Sequence, residues 1–367
     1  MSLLAEPPMP EATGGLRDFS PARVPGLRVV DPLAVPHWDA WVARYPDATV
    51  FHSQGWARVL AETYGHKPLY LTRVVADELV ALLPLMELDS WLTGRRAVSL
   101  PFTDLCPPLG RAEDIQILLR RALALGRERA WKYLELRGVP ARCFPVEAAG
   151  TFLGHTLDLT GGEDQLLRGF ESGVRRAIRK AEASGVEVAI ASAPSPVEAY
   201  YRLHCLTRQR QGVPPQPFRF FARLQRCVLE PGHGFVALAR HQGRPVAGAV
   251  FLHFGTHAVY KYGASDFRHQ ELRANNLVMW RGIRASRERG CRTLHFGRTS
   301  RHQEGLRRYK LGFGATEETV DYFRLNPRTG TCVSVREHPR AWVNRLFGCL
   351  PCRPARWLGA ALYPHAS

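Results

Sequence analysis

The spacing of apolar residues switches between helical and alternating periods along this chain. "WDAWVARYPDATVFHSQGWARVLAETYG" (38–65) reads as two helices broken at Pro46. "LYLTRVV" and "LVALLPLMEL" (69–88) read as a hairpin, "DIQILLRRALALGRERA" (114–130) as an amphipathic helix and "KYLELRG" (132–138) as a strand. "GHTLDL" (154–159) opens a second half. There "EDQLLRGFESGVRRAIRKAEASG" reads as one helix stopping at Gly185, and residues 196–212 and 218–230 as two more. "GFVALARHQGRPVAGAVFLHFGTHAVYKYGA" (234–264) reads as a three-strand meander with turns at Gln242-Gly243 and Gly255. A helix over 275–290 and a strand "TLHFG" follow.

Two pieces of this pattern recur. "RERAWKYLELRG" (127–138) and "RERGCRTLHFGR" (287–298) both end a basic helix and enter a short strand. "ELVALLPLMEL" (78–88) and "RPVAGAVFLHF" (244–254) both leave a tight turn as a strand. The repeats lie about 160 residues apart, one domain length, which suggests a duplicated unit. Strands alternating with helices predict an α/β (α+β) chain with two mixed sheets.

Composition narrows the class. With 367 residues, 45% hydrophobic and 23% charged, the chain can bury two ordinary cores. Eight scattered cysteines are too few for a disulfide scaffold, and Cys349 and Cys352 form a CxxC without a second pair, so neither a disulfide framework nor a zinc ribbon is expected. No metal site is expected. "MSLLAEPPMPEATGG" is not a signal peptide, and no apolar stretch is long enough to span a bilayer. The segment to Gly26 is expected to be disordered. The net charge of +17 suits an anionic partner, and equally suits solubility alone. Only five of the 50 basic residues are lysines (Lys67, Lys132, Lys180, Lys261 and Lys310). Each stands where the default arginine does not.

Four stretches carry candidate chemistry. "VRRAIRKAEASG" sets Arg175 and Arg179 one helical turn apart, facing either an anion or plain solvent. "TRQRQGVPPQPFRFF" carries Arg208 and Arg210 into a proline-fixed loop, a substrate wall or an ordinary connection. "AVYKYGASDFRHQELRANNLVMW" brings Tyr260 and Lys261 on a strand toward Asn275 and Asn276 at a helix start. There an asparagine caps the helix, and free amides could meet phosphate or carbonyl oxygen. In "FGRTSRHQEGLRRYKLGFGA", Arg298 ends a strand and Lys310 follows Tyr309. A lysine there could bury its stem and open its ammonium on a cleft, or snorkel at the surface. The chain has no G-x-S-x-G, no phosphate-binding G-x-x-x-x-G-K-[ST] and no H-E-x-x-H. Direct transfer between two bound substrates is left as the simplest chemistry.

"FHSQGWARVLAETYGHKPLYL", "SLPFTDLCPPLG", "KYLELRG", "RRAIRKAEASGV", "ANNLVMW", "FGRTS" and "YKLGFGA" stand in the order of the FemAB-like acyltransferases with GNAT folds. The chain resembles that family from about Val29 to the tail, and most of all its members associated with exosortase and exopolysaccharide loci. The resemblance implies two tandem GNAT-like domains, placed over 27–154 and 155–330, between the disordered segment 1–26 and a basic amphipathic tail (331–367). It implies that Tyr309 and Lys310 are the aromatic–lysine pair whose lysine holds developing negative charge. It sets Arg175, Arg208, Tyr260 and Arg298 where substrate contacts lie, and the stretches above add Arg179, Lys261 and Asn276 as candidate substrate contacts. The implied co-substrate is an aminoacyl-tRNA or an acyl-CoA. An R/Q-x-x-G-x-G/A pyrophosphate loop is missing here, which counts against acyl-CoA, and the base is unassigned, Asp266 being the candidate.

The reading is an N-acyl- or aminoacyltransferase acting on an amine of a cell-envelope or exopolysaccharide precursor. Its partners are an anionic sugar-phosphate or lipid-linked glycan, and tRNA as donor. The alternative is a non-catalytic RNA- or polyanion-binding module. The protein is placed in the cytoplasm. In the tail, Trp342, Val343, Leu346 and Phe347 share a helical face, and Trp357, Leu358 and Leu362 follow Pro351. The tail is expected to pack on the first domain, with peripheral contact to the inner membrane as the competing reading.

Overall fold

Tight turns with positive φ set the registers of the sheets. The computed structural model describes residues 24–140, 143, 147–333 and 350–366. The first half runs β1 (Leu27–Val30), α1 (Trp38–Val42), α2 (Gln54–Tyr64), β2 (Lys67–Pro68), β3 (Tyr70–Val75), β4 (Glu78–Leu83), β5 (Met86–Leu88), β6 (Arg96–Val98), β7 (Leu109–Gly110), α3 (Ala112–Glu128) and β8 (Leu134–Arg137). Next come β9 (Gly150–Asp158), α4 (Glu163–Gly169), α5 (Ser172–Ala183), β10 (Val186–Ala191), α6 (Pro194–Arg210) and α7 (Phe218–Leu224). The chain continues through β11 (Gly234–His241), β12 (Arg244–Phe254), β13 (His257–Ser265), α8 (Ala274–Glu288), β14 (Thr293–His295), α9 (Glu304–Leu311) and β15 (Thr316–Leu325). A last helix, α10, covers Cys352–Leu362. Gln242 (φ 50) and Gly243 (φ 75) close β11 onto β12 as the two-residue turn that matches strand twist, and Gly255 (φ 53) turns β12 into β13. The expected meander is therefore present.

The larger of two sheets is mixed, as expected, and the smaller is wholly antiparallel. One has four antiparallel strands in the order β1-β3-β4-β7. The other has eleven, in the order β10-β11-β12-β13-β14-β9-β15-β8-β6-β5-β2. Only the β13–β14 and β6–β8 pairs are parallel. These are the two strands that the recurring helix-to-strand segments feed, α8 into β14 and α3 into β8. The other echo is realised unequally. β12 is one uninterrupted strand, whereas "ELVALLPLMEL" splits at Pro84 between β4 in the small sheet and β5 in the large one.

The two halves share a strand. β15 pairs with β9 over Thr316–Tyr322 and with β8 over Tyr322–Leu325. The expected boundary at 154/155 lies inside β9. A core of Trp56, Tyr64, Tyr200, Phe220 and Phe221 packs α2 against α6 and α7 across the halves.

Several local expectations change. The helix expected over 163–185 breaks, because Phe170 leaves the helical register to pack edge-on against Trp280 and Phe313. Neither Asn275 nor Asn276 caps α8. Arg273 holds the cap position at φ 56 without a side-chain bond, while Asn275 Nδ2 donates to Ser265 Oγ at 3.2 Å. Residues 350–366 pack on both halves. The Tyr363 hydroxyl donates to Pro214 O at 3.1 Å, and Arg96 Nη2 to His365 O at 2.7 Å. Trp342, Val343, Leu346 and Phe347, and the segment up to residue 23, lie outside the described residues.

Candidate active site

β13 carries one residue too many for its partner. Val250 faces Tyr262 and Phe251 faces Tyr260, so Lys261 is the extra residue of a bulge. A bulge re-aims its side chain, and the Lys261 ammonium, almost fully buried, reaches across to the first half. There Nζ donates to Asp104 Oδ2 at 2.9 Å. Burial and the Asp104 carboxylate oppose each other on Lys261, and burial leaves its pKa lowered. For Asp104, burial is outweighed by Lys261, His295 and Arg298, and its carboxyl is held below the ordinary range.

The loop bearing Asp104 is strained and braced. Leu100 (φ 63) and Phe102 (φ 60) are non-glycine residues in the left-handed region, at a cost of about 1–2 kcal/mol each. Arg137, buried at the end of β8, holds the loop by donating to Thr103 O at 2.9 Å and Leu100 O at 3.3 Å. Glu135 neutralises Arg137 at 2.6 Å and takes Arg324 as well. The Tyr322 hydroxyl, on the shared strand, donates to Asp104 O.

These groups wall a cavity of about 190 Å³ between the halves, lined by Asp104, Arg137, Arg208, Lys261, Arg298 and Tyr262 among others. That is smaller than a site for a whole drug-sized ligand and suits one anionic head group. Arg137 and Lys261 are neutralised. Arg208 and Arg298 have no carboxylate partner among the described residues, so positive charge is left over. Arg298 is held in place by stacking, its guanidinium 4.2 Å from the Phe152 ring centre and 5.0 Å from that of Tyr322.

Lys310 sits behind this wall. It is 2% exposed, and its Nζ donates to Gly297 O (2.7 Å), Thr299 Oγ1 (2.7 Å) and Arg298 O (3.2 Å). The expectation of an ammonium opening on a cleft is corrected. Its three donors are taken by the turn that carries Arg298, and it is absent from the cavity lining. Burial, against the pull of Asp104, pushes its pKa down to about 8. His295 lies beside it, pushed to about 4 by burial.

The structure divides the sequence-derived set. Arg208, Lys261 and Arg298 meet at the cavity. Tyr260 packs against Phe251 and Phe296, and Tyr309 against Phe313 with its hydroxyl 3.3 Å from Asn275 O, so these two rings gather with Asn276 near the start of α8 instead. Arg175 and Arg179 stay on α5, where Arg175 donates to Arg168 O at 2.8 Å and Arg179 lies exposed. Asp266 is engaged by Arg268, which holds its carboxyl low and makes it a poor base. Sequence reasoning missed Asp104 and Arg137 as site residues, although both lie in the stretches "SLPFTDLCPPLG" and "KYLELRG". Among the described residues no cluster of three or more His, Cys, Asp or Glu could hold a metal.

Residues 168–324 match the acetyltransferase (GNAT) domain. The protein is an acyltransferase that carries a GNAT domain over those residues. Its architecture is similar to FemX, with a TM-score of 0.64 and 14% identity, covering 80% of this chain and 96% of that one. It is also similar to the C-terminal domain of a putative lysylphosphatidylglycerol synthetase from Agrobacterium fabrum (TM-score 0.54, 12% identity, 89% and 95% covered). A tandem GNAT protein from the clavulanic acid biosynthesis pathway aligns at TM-score 0.52 and 12% identity, with 82% and 98% covered. No curated protein matches the chain.

Proposed function

We propose that this acyltransferase moves an acyl or aminoacyl group onto an amine of an anionic acceptor, a sugar-phosphate or lipid-linked glycan of the cell envelope or an exopolysaccharide. The observation that carries this is the interdomain cavity, whose cations outnumber its one acid, with Arg208 and Arg298 left unneutralised. An anionic group of the acceptor supplies what those guanidiniums lack. The amine nitrogen attacks the acyl carbon, the C–N bond forms, the C–O or C–S bond to the donor breaks, and the amine proton leaves with the donor fragment. Lys310 contributes through the Gly297–Thr299 turn, by fixing Arg298 and by placing a cation behind the reacting carbonyl, and Tyr309 braces the start of α8 through Asn275 O. One structural neighbour is described as a putative lysylphosphatidylglycerol synthetase and another with reference to acetyl-CoA, so an aminoacyl donor and an acyl-CoA are both retained. The left-handed, non-glycine Arg273 at the start of α8, where a glycine loop would cradle pyrophosphate, favours the former.

The test is product detection by mass spectrometry, with panels of aminoacyl-tRNAs and acyl-CoAs against phosphorylated amines and their neutral analogues. Transfer to the phosphorylated member is expected, with Arg298→Ala raising KM for it about tenfold or more and leaving the neutral analogue unaffected. Preference for the neutral amine would remove the reading.

A further inference from the structure

The last helix is built inside out. Its inner face is small: Ala355 and Gly359 are buried, and a Cβ at Gly359 would meet the Pro215 carbonyl oxygen at 2.0 Å. That close seat fixes the rotation of α10, and Tyr363 pins its end to Pro214. The large apolar residues consequently face outward. Pro354, Trp357, Leu358, Ala361 and Leu362 are all exposed, at the i, i+3, i+4, i+7, i+8 spacing that a helix ordinarily turns toward a core. Trp357 is 81% exposed. The stripe does not stop with the helix. His365, next along it, meets the ring of Trp91 at 5.6 Å, and Trp91 and Leu92, at the tip of the β5–β6 connection, are 87% and 53% exposed. Ser90 and Thr93 tie this connection to His365, so the two exposed tryptophans belong to one braced surface.

Tryptophan and leucine projecting together from a basic protein fit one kind of partner well. Residues 338–367 contain four arginines and no acid, within a chain of net charge +17. A protein partner's apolar patch would not need that imbalance, whereas an anionic lipid surface rewards both features at once. Among the described residues no helix is long and apolar enough to cross a membrane, so the contact is peripheral. We infer that Trp91, Leu92, Trp357, Leu358 and Leu362 form a docking face for an anionic bilayer, seating the protein with these side chains at the headgroup–acyl boundary. This is independent of the transfer reaction, because binding is read without turnover.

The experiment is co-sedimentation of the full chain with vesicles of phosphatidylcholine alone or containing about one-third phosphatidylglycerol. Binding to the anionic vesicles is expected, weakening as salt rises, with phosphatidylcholine alone bound far less. The double variant Trp91→Glu/Trp357→Glu is expected to bind about tenfold or more weakly. Leu358→Glu/Leu362→Glu, on the same stripe, is expected to do likewise. Circular dichroism and thermal midpoint identify any variant that fails to fold, and Trp91→Phe/Trp357→Phe is expected to keep most of the binding. Absence of wild-type binding to anionic vesicles overturns the inference. So does equal binding by the folded glutamate variants, or sedimentation velocity showing a wild-type dimer that those substitutions dissociate, which would make the face an interface between copies.

Discussion

The ends of β8 and β14 are built alike and used differently. Each is the short parallel strand that a basic helix feeds, and each stops at a glycine with positive φ, Gly138 at 76° and Gly297 at 72°. Both glycines press on the same loop, a Cβ on Gly138 meeting Leu105 at 3.1 Å and one on Gly297 meeting Asp104 at 3.0 Å. Beside each strand a buried cation holds loop carbonyls: Arg137 takes those of Leu100 and Thr103, Lys310 those of Gly297 and Arg298. The difference lies in neutralisation. Glu135 cancels Arg137, whereas Lys310 has no carboxylate partner within ion-pair distance among the described residues. The first half spends its cation on architecture. The second leaves its cation without a counter-charge behind the cavity wall.

Four experiments break or sharpen that contrast. The largest effect is expected from Lys310→Ala, which should abolish transfer, by about a hundredfold or more, with secondary structure intact by circular dichroism, while Arg137→Ala should act first on stability. Wild-type turnover in Lys310→Ala would erase the distinction. Next, Lys261→Met strands a partly buried carboxylate at Asp104, with Arg298 and His295 left beside it, and should cost about 2–3 kcal/mol in urea unfolding, much of it recovered when Asp104→Asn is added. The glycines come third. Gly138→Ala and Gly297→Ala should each cost about 1–2 kcal/mol. Only Gly297→Ala, which pushes on Asp104, should also depress turnover, and equal kinetic losses would show that the two ends are equivalent.

The smallest effect is electrostatic. The folded protein holds the Lys310 proton less tightly than the unfolded chain, with a pKa of about 8 against 10.5. Its contribution to stability therefore rises with pH between those values. Turnover that depends on the ammonium falls as pH rises through about 8. The wild-type advantage over Lys310→Met in urea unfolding should grow from pH 8 upward, and a flat difference would place the proton elsewhere.

What the sequence made legible follows from period and turn chemistry. The meander over 234–265 was plain because continuous apolar runs and the turns at Gly243 and Gly255 agree. The duplicated helix-to-strand segments were visible, and they became the two parallel pairs. α9 was not legible as a helix: Glu304 to Arg308 are all exposed, and its buried member is a lysine, so no apolar stripe announces it. Asp104 and Arg137 were quoted within motifs but not singled out, since their roles arise from contacts with residues more than 30 positions away. The basic pair on α5 looked the same from sequence as Arg208 and Arg298, yet among the described residues neither arginine of the pair has an ion-pair partner or lines the cavity. Only the fold separates a solvated arginine from one at a cavity.

β15 has a mechanical consequence. A single strand hydrogen-bonded to both halves acts as a splint, so the halves cannot swing about a hinge there without tearing ladder bonds. The gap between them is cut to size when the chain folds, not closed around its occupant. Movement at that gap is left to the loops and side chains that rim it.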